Sequence, residues 1–129
     1  MAAHMQIGEV AERTGLSIRT LRHYDEVGLV PPSERSAGGF RLYTDTDVER
    51  LLVIRRMKPL EFTLDEMSRL LASLDTIESG GDGIEEAGAF VDECHARAEA
   101  ACANLRKKLA YAEELTAVLA ANRHPSRRA

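Results

Sequence analysis

The sequence has no tryptophan, and only three phenylalanines and three tyrosines among its 129 residues. A core built from it must rest largely on aliphatic side chains. Cysteine is nearly absent as well. Cys94 and Cys102 do not make a disulfide framework. On one helix they would stand roughly 12 Å apart, at ~1.5 Å per residue, beyond the about 7 Å that a bridge can span. No apolar run approaches the ~20 residues of a membrane helix, and the start lacks the basic-then-apolar pattern of a secretory signal. A cytoplasmic protein with no membrane partner is therefore expected. There is no Gly-rich phosphate loop, nucleophile elbow or paired metal motif, so neither enzyme activity nor a cofactor is expected. The opening Met1-Ala2-Ala3-His4-Met5 reads as an added remnant ahead of a native start at Met5.

Hydrophobic residues make up 44% of the chain, enough to bury a core, and the net charge is −4. That charge is unevenly spread. Residues 1–60 carry nine Lys/Arg against eight Asp/Glu, while residues 61–129 carry eight against thirteen. The acidic total thus hides a first half able to show a basic face, which is what phosphate contact requires.

Ile7, Val10 and Ala11 fall at helical spacing, and Gly15 can take the left-handed cap that ends a helix. Ser17 is an N-cap for a second helix through Glu26, stopping near Gly28, with Arg19, Thr20, Arg22 and His23 pointing outward. Two short helices around a tight turn make a helix–turn–helix. The second begins free of acid, as expected of a helix entering the major groove. Pro31-Pro32 forbids helix, and Val30 to Tyr43 reads as a hairpin, or wing, with Ala37-Gly38-Gly39 at its tip. Thr44 with Asp47 forms a capping box for a third helix ending before Pro59, and Thr63 with Glu66 does the same for a fourth through Leu74. The composition of residues 75–83 predicts a flexible linker. From Ile84 to about Asn122 one long helix is expected, with a roughly heptad apolar seam of Val91, Cys94, Ala98, Ala101, Leu105, Leu109, Ala112, Leu115 and Leu119. A helix of that length needs a partner, most simply a second copy of itself. The domain plan is therefore 5–74 for the winged domain, 75–83 for the linker, 84–122 for a dimerisation helix and 123–129 for a frayed tail.

The segments IGEVAERTGLSIRTLRHYDEVGLVPPSER, GGFRLYTDTDVERLLVIRRMK and LEFTLDEMSRLL occur in that order over about residues 6–74. Together they strongly resemble the N-terminal domain of the MerR family. The resemblance implies a mainly α fold: a winged helix–turn–helix, a further helix pair, and a long helix that pairs antiparallel in a homodimer. It also implies a transcription regulator that binds a semi-palindromic, double-stranded promoter and distorts it so that RNA polymerase can engage. One departure is Glu61, where the family pattern carries Gly and so allows an unusual backbone angle.

Within this frame Ser17, Arg19, Thr20, Arg22 and His23 are the candidate DNA contacts of the recognition helix, and Arg19, near its start, comes first. By resemblance, the Tyr24 hydroxyl touches the DNA backbone and Arg41 reaches a phosphate. Tyr24 also reads as a core aromatic, and Tyr43 either contacts DNA or packs under the wing. Arg35 is a further phosphate candidate. Arg55 either holds flanking DNA or complements the negative end of its own helix. The alternative function is a thiol- or ligand-responsive sensor using Cys94 and Cys102 or the ends of the dimer helix. No metal site is expected, because thiolate sites need several converging ligands.

Overall fold

A computed structural model describes residues 4–124, so the expected tail beyond His124 and the first three residues lie outside it. The described chain is a mainly helical winged helix–turn–helix followed by a long helix. It divides into two compact units, residues 4–91 and 92–124.

In the first unit, α1 (Ile7–Thr14) buries Val10 and Thr14 and stops at Gly15, whose φ of 74° lets its N–H reach the Ala11 carbonyl at 2.9 Å. The buried Thr14 hydroxyl is satisfied locally, donating to the Val10 carbonyl and accepting from Leu16 N. Ser17 caps α2 (Ile18–Glu26) by accepting from Thr20 N at 3.0 Å, and Leu21 and Tyr24 turn inward. The wing is β2 (Glu34–Arg35) and β3 (Arg41–Tyr43), antiparallel, with Arg35 opposite Arg41.

A third strand is added to the expected pair. β1 (Met5–Gln6) lies on the other side of β3, with Met5 opposite Tyr43. Met5 is buried, so the residue taken as a mere starting point is part of the core.

Helix α3 (Asp45–Met57) runs through the middle of this unit and buries Val48, Leu51, Ile54 and Met57 along one stripe. Its expected capping box is complete: Thr44 N bonds Asp47 Oδ2 at 2.9 Å and Asp47 N bonds Thr44 Oγ1 at 3.2 Å. The same Asp47 oxygen accepts from the Ser33 hydroxyl at 2.6 Å, tying the chain after Pro31-Pro32 to the start of α3. A 3-10 turn over Lys58–Leu60 follows and ends at Glu61, with φ 64° and ψ 31°. Glu61 therefore takes the left-handed conformation that the Gly of the resembled pattern would supply without strain.

The second capping box, Thr63 with Glu66, opens α4 (Leu64–Ser79). This helix corrects the expected linker, because residues 75–79 are its last turn. Arg50 of α3 holds both carboxylate oxygens of Asp75 at 2.8 Å, and the Thr76 hydroxyl bonds the Ala72 carbonyl. These contacts override a loop-like composition. Gly80, left-handed at φ 70°, ends the helix, and α5 (Ile84–Ala121) begins four residues later. The first turns of α5 belong to the first unit: Ala87 and Phe90 are buried, and the Arg69 guanidinium lies 4.0 Å from the centre of the Phe90 ring.

In the second unit the remainder of α5 is described alone. From Cys102 to His124 every residue is exposed, including Leu105, Leu109, Leu115 and Leu119.

The left-handed angle at Glu61 generates a test. Glu61→Gly removes the Cβ strain and is expected to stabilise the domain by up to about 1 kcal/mol, raising the melting temperature by a few degrees in thermal unfolding. A lower melting temperature would mean that the Glu61 side chain contributes more than the strain removes.

Candidate nucleic-acid interface

The Ser17 cap fixes where α2 starts, and the burial of Leu21 and Tyr24 sets which side chains face outward. With Leu21 and Tyr24 committed to the core, Arg19, Arg22 and His23 are exposed on the opposite side, and Thr20 sits half-buried between them with its hydroxyl 2.9 Å from Ser17 Oγ. A shallow cleft of about 650 Å³ runs along this side, lined by Arg19, Thr20, Arg22, His23, Glu26 and Lys58. Lys58, expected at the end of the third helix either to hold flanking DNA or to complement that helix's negative end, begins the 3-10 turn and lines the cleft beside α2.

The wing's two arginines meet on α2. Arg41 Nε donates to Asp25 Oδ2 at 2.7 Å, and an Arg35 terminal nitrogen donates to the same oxygen at 2.8 Å. The Asp25 side chain is 11% exposed. Burial alone would raise its pKa, but the hydrogen bonds and charges of Arg41 and Arg35 outweigh burial and hold the carboxyl below its ordinary range. The Asp25 hydrogen bond, the largest influence on Arg41, raises that guanidinium further. Helical spacing puts Tyr24 or Asp25 on the inward side of α2 but gives Asp25 no partner. A signal was available: an acid in the last turn of a helix faces the negative end of the dipole and needs a compensating partner.

Three expectations that left alternatives open are narrowed. Tyr43 has no exposed surface, so it packs under the wing and is not available to DNA. Its ladder partner Met5 in β1 lies beside it in the sheet, the Tyr43 hydroxyl has no hydrogen-bond partner among the described residues, and burial raises its pKa. Tyr24 is 2% exposed, which fits its reading as a core aromatic and leaves almost no surface for a phosphate. Arg55 complements a helix end, but that of α1: its NH1 donates to the Thr14 carbonyl at 2.6 Å. Phe40, in the returning arm of the wing beside Arg41, is 66% exposed. Its backbone is held by Ser36 on both sides, N to Ser36 Oγ at 3.1 Å and O from Ser36 N at 2.8 Å.

Of the expected seam, Val91 lies in the first unit and is half-buried, Cys94 is buried, Ala98 and Ala101 are half-buried, and Leu105, Leu109, Ala112, Leu115 and Leu119 are exposed. Tyr111 and Val118, outside the expected seam, add exposed apolar surface beside Leu115. Cys94 is buried while Cys102 is exposed. Among the described residues no three His, Cys, Asp or Glu side chains group as a metal site, and no helix is long and apolar enough to cross a membrane.

Comparison with known proteins adds an independent finding. The family model for MerR HTH family regulatory proteins matches residues 5–74. The mercuric resistance operon regulatory protein of Bacillus cereus is 42% identical over 74 residues, covering 57% of this chain and 56% of that protein. The transcriptional activator TipA of Streptomyces coelicolor is 49% identical over 65 residues, covering 50% of this chain and 26% of TipA. The chain thus matches about half, or less, of the length of these curated relatives. Among solved structures, HiNmlR, a MerR family regulator lacking the sensor domain and bound to promoter DNA, is similar over 83% of this chain and 79% of its own, at 30% identity and a TM-score of 0.69. MtaN, the N-terminus of the Bacillus subtilis multidrug transporter activator, is similar over 88% and 93%, at 32% identity and a TM-score of 0.54.

The Asp25 cluster sets a pH dependence. A carboxyl whose folded pKa is lowered contributes stability that is present above its unfolded value, near 3.8, and is lost as pH falls through the folded value. Acid unfolding followed by circular dichroism should therefore lose stability below about pH 4, and Asp25→Asn should flatten that part of the curve. An Asp25→Asn curve parallel to wild type would show that the pairs do not contribute.

Proposed function

The chain belongs to the family of MerR helix–turn–helix regulatory proteins, and we propose that it is a sequence-specific DNA-binding transcription regulator acting as a homodimer on a semi-palindromic promoter. The observation that carries this reading is the α2 surface: Arg19, Arg22 and His23 exposed in one row, joined by Lys58, with no acid in the first turn of the helix. Arg19 near the helix start is placed to pair with a guanine edge, and Arg22, His23 and Lys58 to meet bases or phosphates. Ser17 and Thr20 lie at the helix N-terminus, where backbone N–H groups attract a phosphate. Arg35 and Arg41 extend the contact along the flanking backbone, and the part of the Arg55 guanidinium not held by Thr14 can do the same. That HiNmlR was solved on promoter DNA supports the reading.

The homodimer rests on α5. Leu105, Leu109, Leu115 and Leu119 are 54–58% exposed, an apolar stripe that a lone helix leaves in water. Burying one such side chain is worth about 1.5–3 kcal/mol, which favours pairing with a second copy through these residues together with Ala98, Ala101 and Ala112. Val91 and Cys94 belong to the same expected seam. Two recognition helices related by a two-fold axis would read two half-sites. Distortion of the promoter, and through it engagement of RNA polymerase in the cytoplasm, completes the proposed mechanism.

Selection from a randomised DNA pool at near-physiological salt should enrich an inverted repeat, and no enrichment would overturn the reading. On the selected site Arg19→Ala should weaken binding by roughly 1–3 kcal/mol if Arg19 reads a base; unchanged affinity at every salt concentration would remove Arg19 from the interface. Leu109→Asp should convert a dimer to a monomer in sedimentation and weaken DNA binding at the same time, because each half-site then binds alone. A variant that stays dimeric would place the interface elsewhere.

A further inference from the structure

Arg35 and Arg41 stand directly opposite one another in the β2–β3 ladder. Like charges in that position repel, and a two- or three-residue strand has little else to hold it. The repulsion is relieved from outside the hairpin. Asp25, on α2, accepts from both guanidiniums through the single atom Oδ2, at 2.7 and 2.8 Å. The wing and the recognition helix are thereby joined at one point, between residues 10 and 16 positions apart. Neither arginine is used up. Arg41 commits its Nε and Arg35 one terminal nitrogen, and a guanidinium has five N–H donors, so terminal nitrogens of both stay available to a phosphate.

The placement also works against simple attraction. A carboxylate beside two candidate phosphate-binding arginines lowers the local charge from two positive to one, and an acid in the last turn of α2 opposes the helix dipole. Neither helix propensity nor affinity for a polyanion explains an acid here; holding the wing does.

We propose that Asp25 is a positioning residue for DNA recognition, locking the wing arginines to the recognition helix so that phosphate contacts and base reading occur in one fixed register. This rests on the DNA-binding reading above. Register of this kind gives sequence discrimination rather than raw affinity, because phosphate contacts orient a protein without carrying sequence information. The carboxylate thus weakens attraction to DNA in general and sharpens the choice of site.

The test compares wild type, Asp25→Asn and Asp25→Glu on the site selected by the wild-type chain and on a scrambled duplex, across a salt series. In Asp25→Asn the scrambled duplex should bind more tightly, with a salt slope steeper by up to about 0.9 for one further phosphate neutralised. The ratio of specific to scrambled affinity should fall about tenfold or more, a modest part of the range such ratios span. Asp25→Glu keeps a carboxylate within reach of both guanidiniums and should recover most of the ratio, which also covers the case in which Asp25→Asn does not fold. An unchanged ratio in Asp25→Asn would overturn the proposal. So would equal losses on both duplexes, which mark a merely structural residue, or an Asp25→Glu variant no better than Asp25→Asn. A wild-type chain that selects no sequence at all overturns the DNA-binding reading itself and not the role of Asp25 within it.

Discussion

Short elements have proportionally many ends, and every helix end leaves backbone N–H or C=O groups without an intrahelical partner. The first unit is built almost wholly of short elements, so its stability depends on how those ends are satisfied. Glycines close α1 and α4, hydroxyls open α2, α3 and α4, and two capping boxes work reciprocally. Helix α3 supplies what the local caps cannot. Asp47 at its start gathers Ser33, Arg50 in its middle holds Asp75, and Arg55 near its end reaches back to the Thr14 carbonyl. The apolar stripe of α3 buries surface, while its polar residues fix where the neighbouring elements begin and stop. The outward face of α2 is set by Leu21 and Tyr24, which are buried on its other side.

The same arrangement separates the charges of the unit by task. Those that hold the fold are paired: Arg50 with Asp75, Arg13 with Asp45, and Arg35 and Arg41 with Asp25. Those on the α2 side, Arg19, Arg22 and Lys58, line an open cleft with Glu26. Net charge is therefore a poor guide to this chain. The acidic excess lies in the second half of the sequence, while Arg19, Arg22 and Lys58 gather on one side of α2 and Arg35 and Arg41 on one hairpin.

What was legible in the sequence was the local chemistry. Gly15, Ser17, Thr44 with Asp47 and Thr63 with Glu66 all act within three or four residues of themselves, so their meaning can be read from spacing. The resemblance to the MerR family extended that reading to the winged domain as a whole. What was not legible was non-local. Arg55 meets Thr14 across 41 positions and Arg41 meets Asp25 across 16, and no periodicity marks either pair. Tyr43 looked available because Arg41 and Tyr43 alternate onto one face of a strand. Tyr43 is nevertheless buried, and the strand that flanks it, the two-residue β1, is too short to show a pattern. The last turn of α4 was hidden for a similar reason, since Asp75 and Thr76 suggest a loop until Arg50 is placed beside them.

The exposed stripe on α5 also sets how such a regulator responds to its own abundance. In the proposed dimer, an isolated chain carries one recognition helix and reads half a site, so promoter occupancy depends on two copies first finding each other. When the chain is scarce relative to its self-association constant, the amount of binding-competent species rises with the square of its concentration. Halving expression would then lower the active form about fourfold. In that proposed dimer the apolar surface left on one helix would act as a dosage filter, keeping the promoter nearly empty until synthesis passes a level that the leucines themselves define.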